Sequence, residues 1–244
     1  AVTYSKLGLI QFALEQLEPA LESFERAYKI QRLVNNNNNL ELSKIINNIG
    51  VTQYQRGDIS SALKNLIESL EIQRKWLNGP IRRESNVYEA SVTLCNMGKV
   101  YLEKNDYDMS FYAYEEALML QTSSFKKDHN AVLLSLGNIA FAKAKKGEKS
   151  KALQIYKGVH RAQVGRFGAG SREAVETIGL MSVIYIQQGN FNDAIKCLFQ
   201  VLTWQKANLD EHHLAIRNTK RTIRKLKQAV NAKSFSVVKK KVYH

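Results

Sequence analysis

Glutamine recurs at one fixed place along the chain, and its spacing limits the folds that the chain can adopt. The members of this column are Gln31, Gln73, Gln121, Gln163 and Gln205. They are 42, 48, 42 and 42 residues apart, which indicates one structural repeat written five times with a single six-residue insertion. Chains built in this way make contacts mainly between neighbouring repeats, and they usually act through an extended binding surface.

Columns of small residues have the same period, as expected where two helices approach closely. They are Gly8, Gly50, Gly98, Ala140 and Ser182, and Ala20, Ala62, Ser110, Ala152 and Ala194. Between the two columns lies a turn position that four repeats fill with residues accepting a left-handed conformation, whereas Glu15 breaks the column. The four are Gly57, Asn105, Gly147 and Gly189. Apolar residues three and four apart predict that each repeat is a helix, a tight turn and a second helix.

These columns resemble the tetratricopeptide repeat family over roughly residues 1 to 207. The first repeat matches the family pattern at Tyr4, Leu7, Gly8, Ala20, Phe24 and Ala27. Tyr101 and Tyr185 match the family's tyrosine position, from which Gln11, Gln53 and Lys143 depart. The long repeats and the linkers KDHNAV and DEHHLAI are similar to those of kinesin light chains, although Asn130 and His213 replace the linker proline.

The resemblance implies an all-α, right-handed superhelical solenoid of five helix-turn-helix repeats followed by a capping helix. We expect repeats at 1–41, 42–90, 91–132, 133–174 and 175–210, a basic capping helix at 211–233 and a basic tail at 234–244. The second repeat holds the insertion, which Asn78-Gly79-Pro80 marks as a break. The run Asn35–Asn39 is expected to end a helix and extend a loop. The glutamine column lies on the second helices, where we expect its amides to bond to the next repeat.

The resemblance also implies a binding wall, because the first helices line the concave side in this family and short extended peptides bind there. Asn48, Asn96 and Asn138 share one position on that wall in three successive repeats. An asparagine amide both donates and accepts, so such a ladder can pair with the backbone of an extended peptide. The other candidate peptide-binding residues are Lys44, Asn47, Tyr54, Lys99, Phe141 and Lys145.

The mixture of amides, cations and rings suits a protein partner that offers a linear acidic segment with a large apolar or aromatic anchor. Kinesin light chains bind adaptors with a tryptophan among acidic residues, and the resemblance implies a similar ligand class. Two alternatives stay open. The asparagines can tie neighbouring helices together, or the chain can be a scaffold that binds partners by its convex face or its basic end.

The net charge of +14 is concentrated at the C-terminal end. Residues 1–140 hold 15 Lys and Arg against 16 Asp and Glu, whereas residues 141–244 hold 21 against 6. This excess is typical of a solvated capping helix, and it also suits attraction of acidic partners. Nucleic acid or an anionic membrane surface is a third interpretation, with Lys239-Lys240-Lys241 at its end, but no zinc-finger spacing or RNA-recognition signature favours nucleic acid.

No catalytic group, metal site or cofactor motif is recognisable in the sequence. The glycine-rich stretch GRFGAG follows a helical pattern and lacks the lysine of a phosphate-binding loop. Cys95 and Cys197 lie at different repeat positions without a histidine at ligand spacing, so we expect free thiols in a reducing compartment. The mean hydropathy is −0.33, and neither a long apolar run nor a leader is visible. We therefore expect a non-enzymatic, cytoplasmic protein.

Overall fold

The computed structural model describes residues 1–34, 40–79 and 83–242, with side chains up to residue 232. The asparagine run, Pro80 and the side chains of Lys239–Lys241 therefore lie outside the described residues. In the described part the chain forms eleven α-helices and no strand. They are α1 (Val2–Ala13), α2 (Leu17–Val34), α3 (Leu40–Gln55), α4 (Ile59–Leu77), α5 (Glu84–Glu103), α6 (Tyr107–Thr122), α7 (Asn130–Lys145), α8 (Lys149–Phe167), α9 (Arg172–Gln187), α10 (Phe191–Asn208) and α11 (Leu214–Val242).

The helices are arranged as a repeat, and the predicted all-α repeat architecture is confirmed. We call α1, α3, α5, α7 and α9 the first helices and α2, α4, α6, α8 and α10 the second helices. The chain divides into an N-terminal unit, Ala1–Ala142, and a C-terminal unit, Lys143–His244. In the N-terminal unit α1 packs on α2, α3 on α4 and α5 on α6, and in the C-terminal unit α9 packs on α10 and α10 on α11.

The small-residue column lets the two helices of a repeat touch through a large side chain. A Cβ atom built on Gly98 would lie 2.5 Å from the ring of Tyr114, and one built on Gly8 would lie 2.7 Å from the ring of Phe24. Both rings are 1% exposed. The glycines therefore hold the space that the rings of the second helices fill, and this contact fixes the distance between paired helices.

The turns between paired helices all contain one residue with a positive φ angle. The angles are 59° at Glu15, 86° at Gly57, 58° at Asn105, 95° at Gly147 and 72° at Gly189. Glu15 thus has the same left-handed backbone conformation as the other four turn residues, although glutamate is not a residue type that favours it. The geometry of the turn, set by the packing of the two helices, overrides the residue preference.

The glutamine column lies at the contact between successive repeats. Gln73, Gln121 and Gln163 are buried. The hydroxyl of Thr177 on α9 donates to Oε1 of Gln163 on α8 at 2.8 Å. This bond crosses from one repeat to the next within the C-terminal unit, as expected. It is not repeated along the column, because both amide atoms of Gln73 and the Oε1 atoms of Gln121 and Gln205 are buried without a hydrogen-bond partner among the described residues.

Two segments without a repeated counterpart differ from the sequence-based expectation. Helix α5 has 20 residues where α3, α7 and α9 have 16, so part of the insertion becomes one more helical turn. Helix α11 continues to Val242, so the predicted end at residue 233 and the separate tail are wrong. The segment after Leu214 contains neither glycine nor proline, and nothing in it stops the helix. Ile216, Ile223 and Leu226 form the buried stripe of α11.

The first prediction concerns the strained turn. Glu15→Gly removes the steric cost of the left-handed conformation, which exceeds the entropy that glycine adds to the unfolded chain. We expect the free energy of unfolding to rise by about 0.5–1 kcal/mol in urea denaturation. Asn105→Gly is the matched control and should change stability less, because asparagine already tolerates this conformation. An unchanged or lowered stability of Glu15→Gly would contradict this account.

The second prediction concerns the close contact between paired helices. Gly98→Ala forces the new methyl group against Tyr114, and we expect a loss of about 1–3 kcal/mol of unfolding free energy. Gly137→Ala on α7 is the control, because a Cβ there meets no atom within 4 Å. It should stabilise the protein by about 0.5–1 kcal/mol through helix propensity. Equal effects of the two substitutions would rule out the packing role.

Candidate functional site

The predicted peptide-binding residues lie mainly on three first helices of the N-terminal unit. Helix α3 holds Lys44, Asn47, Asn48 and Tyr54, α5 holds Asn96 and Lys99, and α7 holds Asn138 and Phe141. We call the surface formed by these eight residues the first-helix face. Lys145 is exposed near the end of α7 but belongs to the C-terminal unit, so it is not part of the first-helix face.

A hydrogen-bonded cluster joins α3 to α5 in the middle of this face. Nδ2 of Asn96 donates to Oδ1 of Asn47 at 3.1 Å. The hydroxyl of Thr93 approaches the same oxygen at 3.2 Å and also lies 3.2 Å from the carbonyl of Glu89. Thr93 is 1% exposed, whereas both asparagines are half-buried. The bond between Asn47 and Asn96 therefore ties two neighbouring first helices together, and this is the structural role that the sequence left open for the ladder asparagines, here filled by Asn96.

The amides of the face keep hydrogen-bonding capacity beyond this cluster. An amide has two N–H donors and an oxygen that accepts twice. Asn96 uses one donor, so its oxygen and its second N–H take part in no hydrogen bond with the described residues. The half-buried side chain of Asn48 has no hydrogen-bond partner among those residues, although its backbone carbonyl accepts from Thr52. Of the three ladder asparagines, Asn96 is thus tied to Asn47 and Asn138 hydrogen-bonds to the Cys95 thiol, whereas the side-chain amide of Asn48 is left unused by the described residues.

The two lysines of the face are in different electrostatic situations. Nζ of Lys44 lies 3.1 Å from Glu41 and 3.5 Å from Glu89, so it bridges α3 and α5. Burial opposes the charge of Lys44, but the hydrogen bond to Glu41 and the charge of Glu89 raise its pKa. Lys99 is exposed and forms no ion pair with any described residue. Lys99 therefore lacks the carboxylate neighbours that engage Lys44.

Aromatic and sulfur groups complete the face. Phe141 is 39% exposed, and Tyr54 is half-buried, with a phenol pKa raised by burial and, to a smaller extent, by Glu103. Cys95, half-buried on α5, has its Sγ 3.4 Å from the hydroxyl of Ser135 on α7. Burial raises the pKa of the Cys95 thiol. This contact joins α5 to α7, as the asparagine pair joins α3 to α5.

Sequence reasoning missed Thr93, Glu89 and Ser135, which hold the first helices in register. Thr93 and Ser135 share one repeat position with Thr177, so a column of hydroxyl residues was the available signal. Glu89 shares one repeat position with Glu41 and Glu173, so a column of acidic residues was available as a signal as well.

No group of three or more His, Cys, Asp or Glu side chains in the described part could hold a metal ion. Over the same residues, no helix is long and apolar enough to cross a bilayer.

Comparison with known families agrees with the repeat pattern. A model of the tetratricopeptide repeat family matches residues 1–75 and 89–162, and a second tetratricopeptide repeat model matches residues 175–208. A search of curated protein sequences finds no match.

Solved structures with the same fold include repeat proteins of the kinesin light chain type. The nearly identical TPR-like repeats of a putative kinesin light chain from Podosopora anserina superpose with a TM-score of 0.68 at 16% identity, covering 85% of this chain and 96% of that one. BtubC (BKLC) from P. vanneervenii gives 0.73 at 15% identity, covering 88% and 84%.

A third neighbour is the Rap conjugation gene regulator of plasmid pLS20, in complex with a Phr peptide. It has a TM-score of 0.66 at 14% identity, covering 84% of this chain and 53% of that one. At these identities the likeness shows a shared fold. The family itself is shown by the sequence models, which match well over half of the residues. The chain belongs to the tetratricopeptide repeat family.

Proposed function

We propose that this tetratricopeptide repeat protein is an adaptor that binds a linear acidic peptide with an apolar or aromatic anchor on the first-helix face. Its repeats form a protein-interaction module, and the fold is that of a non-enzymatic interaction scaffold. The Rap neighbour binds a peptide, which supports the same mode for this chain. The free thiols Cys95 and Cys197 suit the cytoplasmic location that we propose with it.

The observation that carries the proposal is the pre-positioned amide set on α3 and α5. The side chain of Asn47 is held by Asn96 and Thr93, so its rotamer is restricted before any ligand arrives. Side chains that are already ordered lose less entropy on binding. Asn48 and Asn96 supply donors and acceptors for the N–H and C=O groups of an extended peptide, whatever its side chains.

The ligand's chemistry follows from the other groups of the face. Lys99, without a carboxylate partner in the described part, would meet an acidic residue, whereas Lys44 is engaged by Glu41 and Glu89. An exposed charge contact contributes only about 0–1 kcal/mol. Most of the affinity must therefore come from an anchor side chain packed beside Phe141 and from the amides. The field of the basic C-terminal unit, with Lys145, adds long-range attraction for an acidic chain.

The third prediction tests the amides directly. Asn96→Ala combined with Asn138→Ala should weaken capture of acidic, apolar-anchored peptides by about tenfold or more, because each lost hydrogen bond contributes about 0.5–1.5 kcal/mol. The measurement is a peptide array followed by fluorescence anisotropy with the best sequences. Asn192→Ala, an exposed asparagine on α10, is the matched control and should leave binding unchanged.

Circular dichroism separates lost binding from lost structure. If the double variant is folded and captures the same peptides with the same affinity, the first-helix face is not the binding site. The scaffold interpretation, with partners on other surfaces, would then be favoured.

The fourth prediction uses Cys95 as a footprint of the same face. Burial raises the pKa of both cysteine thiols, and only the thiolate reacts with iodoacetamide. Labelling should therefore be slow at neutral pH and should increase by about tenfold per pH unit below the thiol pKa. A peptide selected on the array should slow labelling of Cys95 but not of Cys197 on α10, as measured by mass spectrometry. Equal protection of both thiols, or of neither, would contradict binding at this face.

A further inference from the structure

Two grooves lie between second helices of the N-terminal unit, and they are built from corresponding repeat positions. The α2–α4 groove has a volume of about 830 Å³ and is floored by Ile46 and Ile49 of α3. The α4–α6 groove has a volume of about 220 Å³ and is floored by Leu94 and Met97 of α5. Each floor residue of the second groove lies 48 residues after its counterpart, the length of one repeat with the insertion.

The smaller groove is closed by an ion pair that the larger groove lacks. Arg74 of α4 lies 2.6 Å from Glu116 of α6, which links the two walls. The corresponding residues of the larger groove are Arg32 and Glu68, and neither forms an ion pair within the described residues. Instead the guanidinium of Arg32 lies over the ring of Tyr28, 5.6 Å from its centroid, and donates to the tyrosine hydroxyl at 3.2 Å.

The larger groove is apolar along its floor and charged along its α2 wall. Tyr28 and Leu33 line it with the two isoleucines, and Leu33 is 88% exposed. Glu25 lies toward one end of this wall and Arg32 toward the other, with Lys29 between them. Seven residues of helix separate Glu25 from Arg32, which is about 10 Å. None of the three charged side chains has an ion-pair partner in the described part of the chain.

We propose that the α2–α4 groove is a docking site for an amphipathic helix of a partner protein. The helix presents an apolar stripe to the exposed Leu33 and the half-buried Tyr28, above the buried floor of Ile46 and Ile49. It presents a cation to Glu25 and a carboxylate about two turns away to Arg32. Charge complementarity with the unpaired wall of α2 fixes its direction. The ion pair between Arg74 and Glu116 shows how a carboxylate is held at the arginine position in the neighbouring groove.

The apolar floor selects a helix over an extended peptide. A strand lying on Ile46 and Ile49 would leave backbone N–H and C=O groups without partners, and buried unpaired groups of this kind are costly. A helix satisfies its own backbone and needs from the groove only apolar contact and charge at its ends.

This site is separate from the proposed peptide site, although both use α3. Ile46 and Ile49 line the groove, whereas Asn47 and Asn48 belong to the first-helix face. The two proposals can therefore fail independently.

The fifth prediction is a charge-reversal experiment on the full chain. The probes are fluorescein-labelled model helices of about 16 residues, with Lys and Glu seven residues apart and Leu, Phe or Trp between them. A second set exchanges Lys and Glu, and a third has proline at its centre. Anisotropy titration at low salt should show a preference of about three- to tenfold for the first set over the exchanged set, and no binding of the proline set.

One double substitution should reverse this preference, and two control variants should preserve it. Glu25→Lys with Arg32→Glu should favour the exchanged set, and both residues are exposed, so the fold is not at risk. Lys75→Glu, an exposed charge of α4 outside both grooves, is the matched control and should keep the original preference. The variant Asn96→Ala with Asn138→Ala should keep it too.

Four results would overturn the docking proposal. They are equal binding of the original and exchanged sets by the unmodified protein, binding of the proline set, absence of binding by every probe, and loss of binding in the asparagine variant. The last result would place the probe on the first-helix face. The first three depend on the unmodified protein alone and do not require any variant to fold.

Discussion

The contact on which the rest of the structure depends is the packing of a small residue of each first helix against a large residue of the second. Gly98 leaves the space that Tyr114 fills, and Gly8 does the same for Phe24. Interiors packed at this density do not tolerate an added methyl group without a shift of side chain or backbone. Once this distance is set, the helix pair behaves as a rigid block. Neighbouring blocks then leave two surfaces, one along the first helices and one between the second helices.

The polar side chains divide into a buried set that joins repeats and a half-buried set that remains available. Thr93 and Thr177 occupy the same repeat position, yet Thr177 bonds to the buried Gln163 whereas Thr93, itself buried, bonds to the half-buried Asn47. The buried bond serves cohesion because water does not compete with it. Asn47 and Asn96 are tied as well, but each amide retains capacity that a ligand can use. One repeat position thus joins two repeats in one place and orders the asparagine pair of the first-helix face in another.

The helices were predictable because the contacts of a repeat chain are local and the period displays them directly. The segments that occur only once could not be predicted in this way, because the extra turn of α5 and the extension of α11 to Val242 have no counterpart in another repeat. The repeat positions of the candidate site residues predicted that they share a surface, but they did not predict which side chains each residue contacts. Lys44 and Lys99 are alike in sequence, and only the neighbouring carboxylates of the folded chain distinguish them.

Two of the three departures from the family tyrosine, Gln11 and Gln53, prove to be coupled substitutions, whereas the third, Lys143, forms an ion pair with Glu148 at 3.7 Å. Where the usual tyrosine is glutamine, the facing residue of the second helix is polar and bonded to it: Ser23 donates to Gln11 at 2.6 Å, and Asn65 donates to Gln53 at 2.7 Å. Where the tyrosine is present, at Tyr101 and Tyr185, the residue twelve positions later is Ala113 or Cys197. The bulk of Tyr101 helps to fill the α4–α6 groove, whereas the paired amides line a wider α2–α4 groove. The exchange that keeps helix pairing intact therefore adds to the ion pair between Arg74 and Glu116 in narrowing the α4–α6 groove relative to the α2–α4 groove.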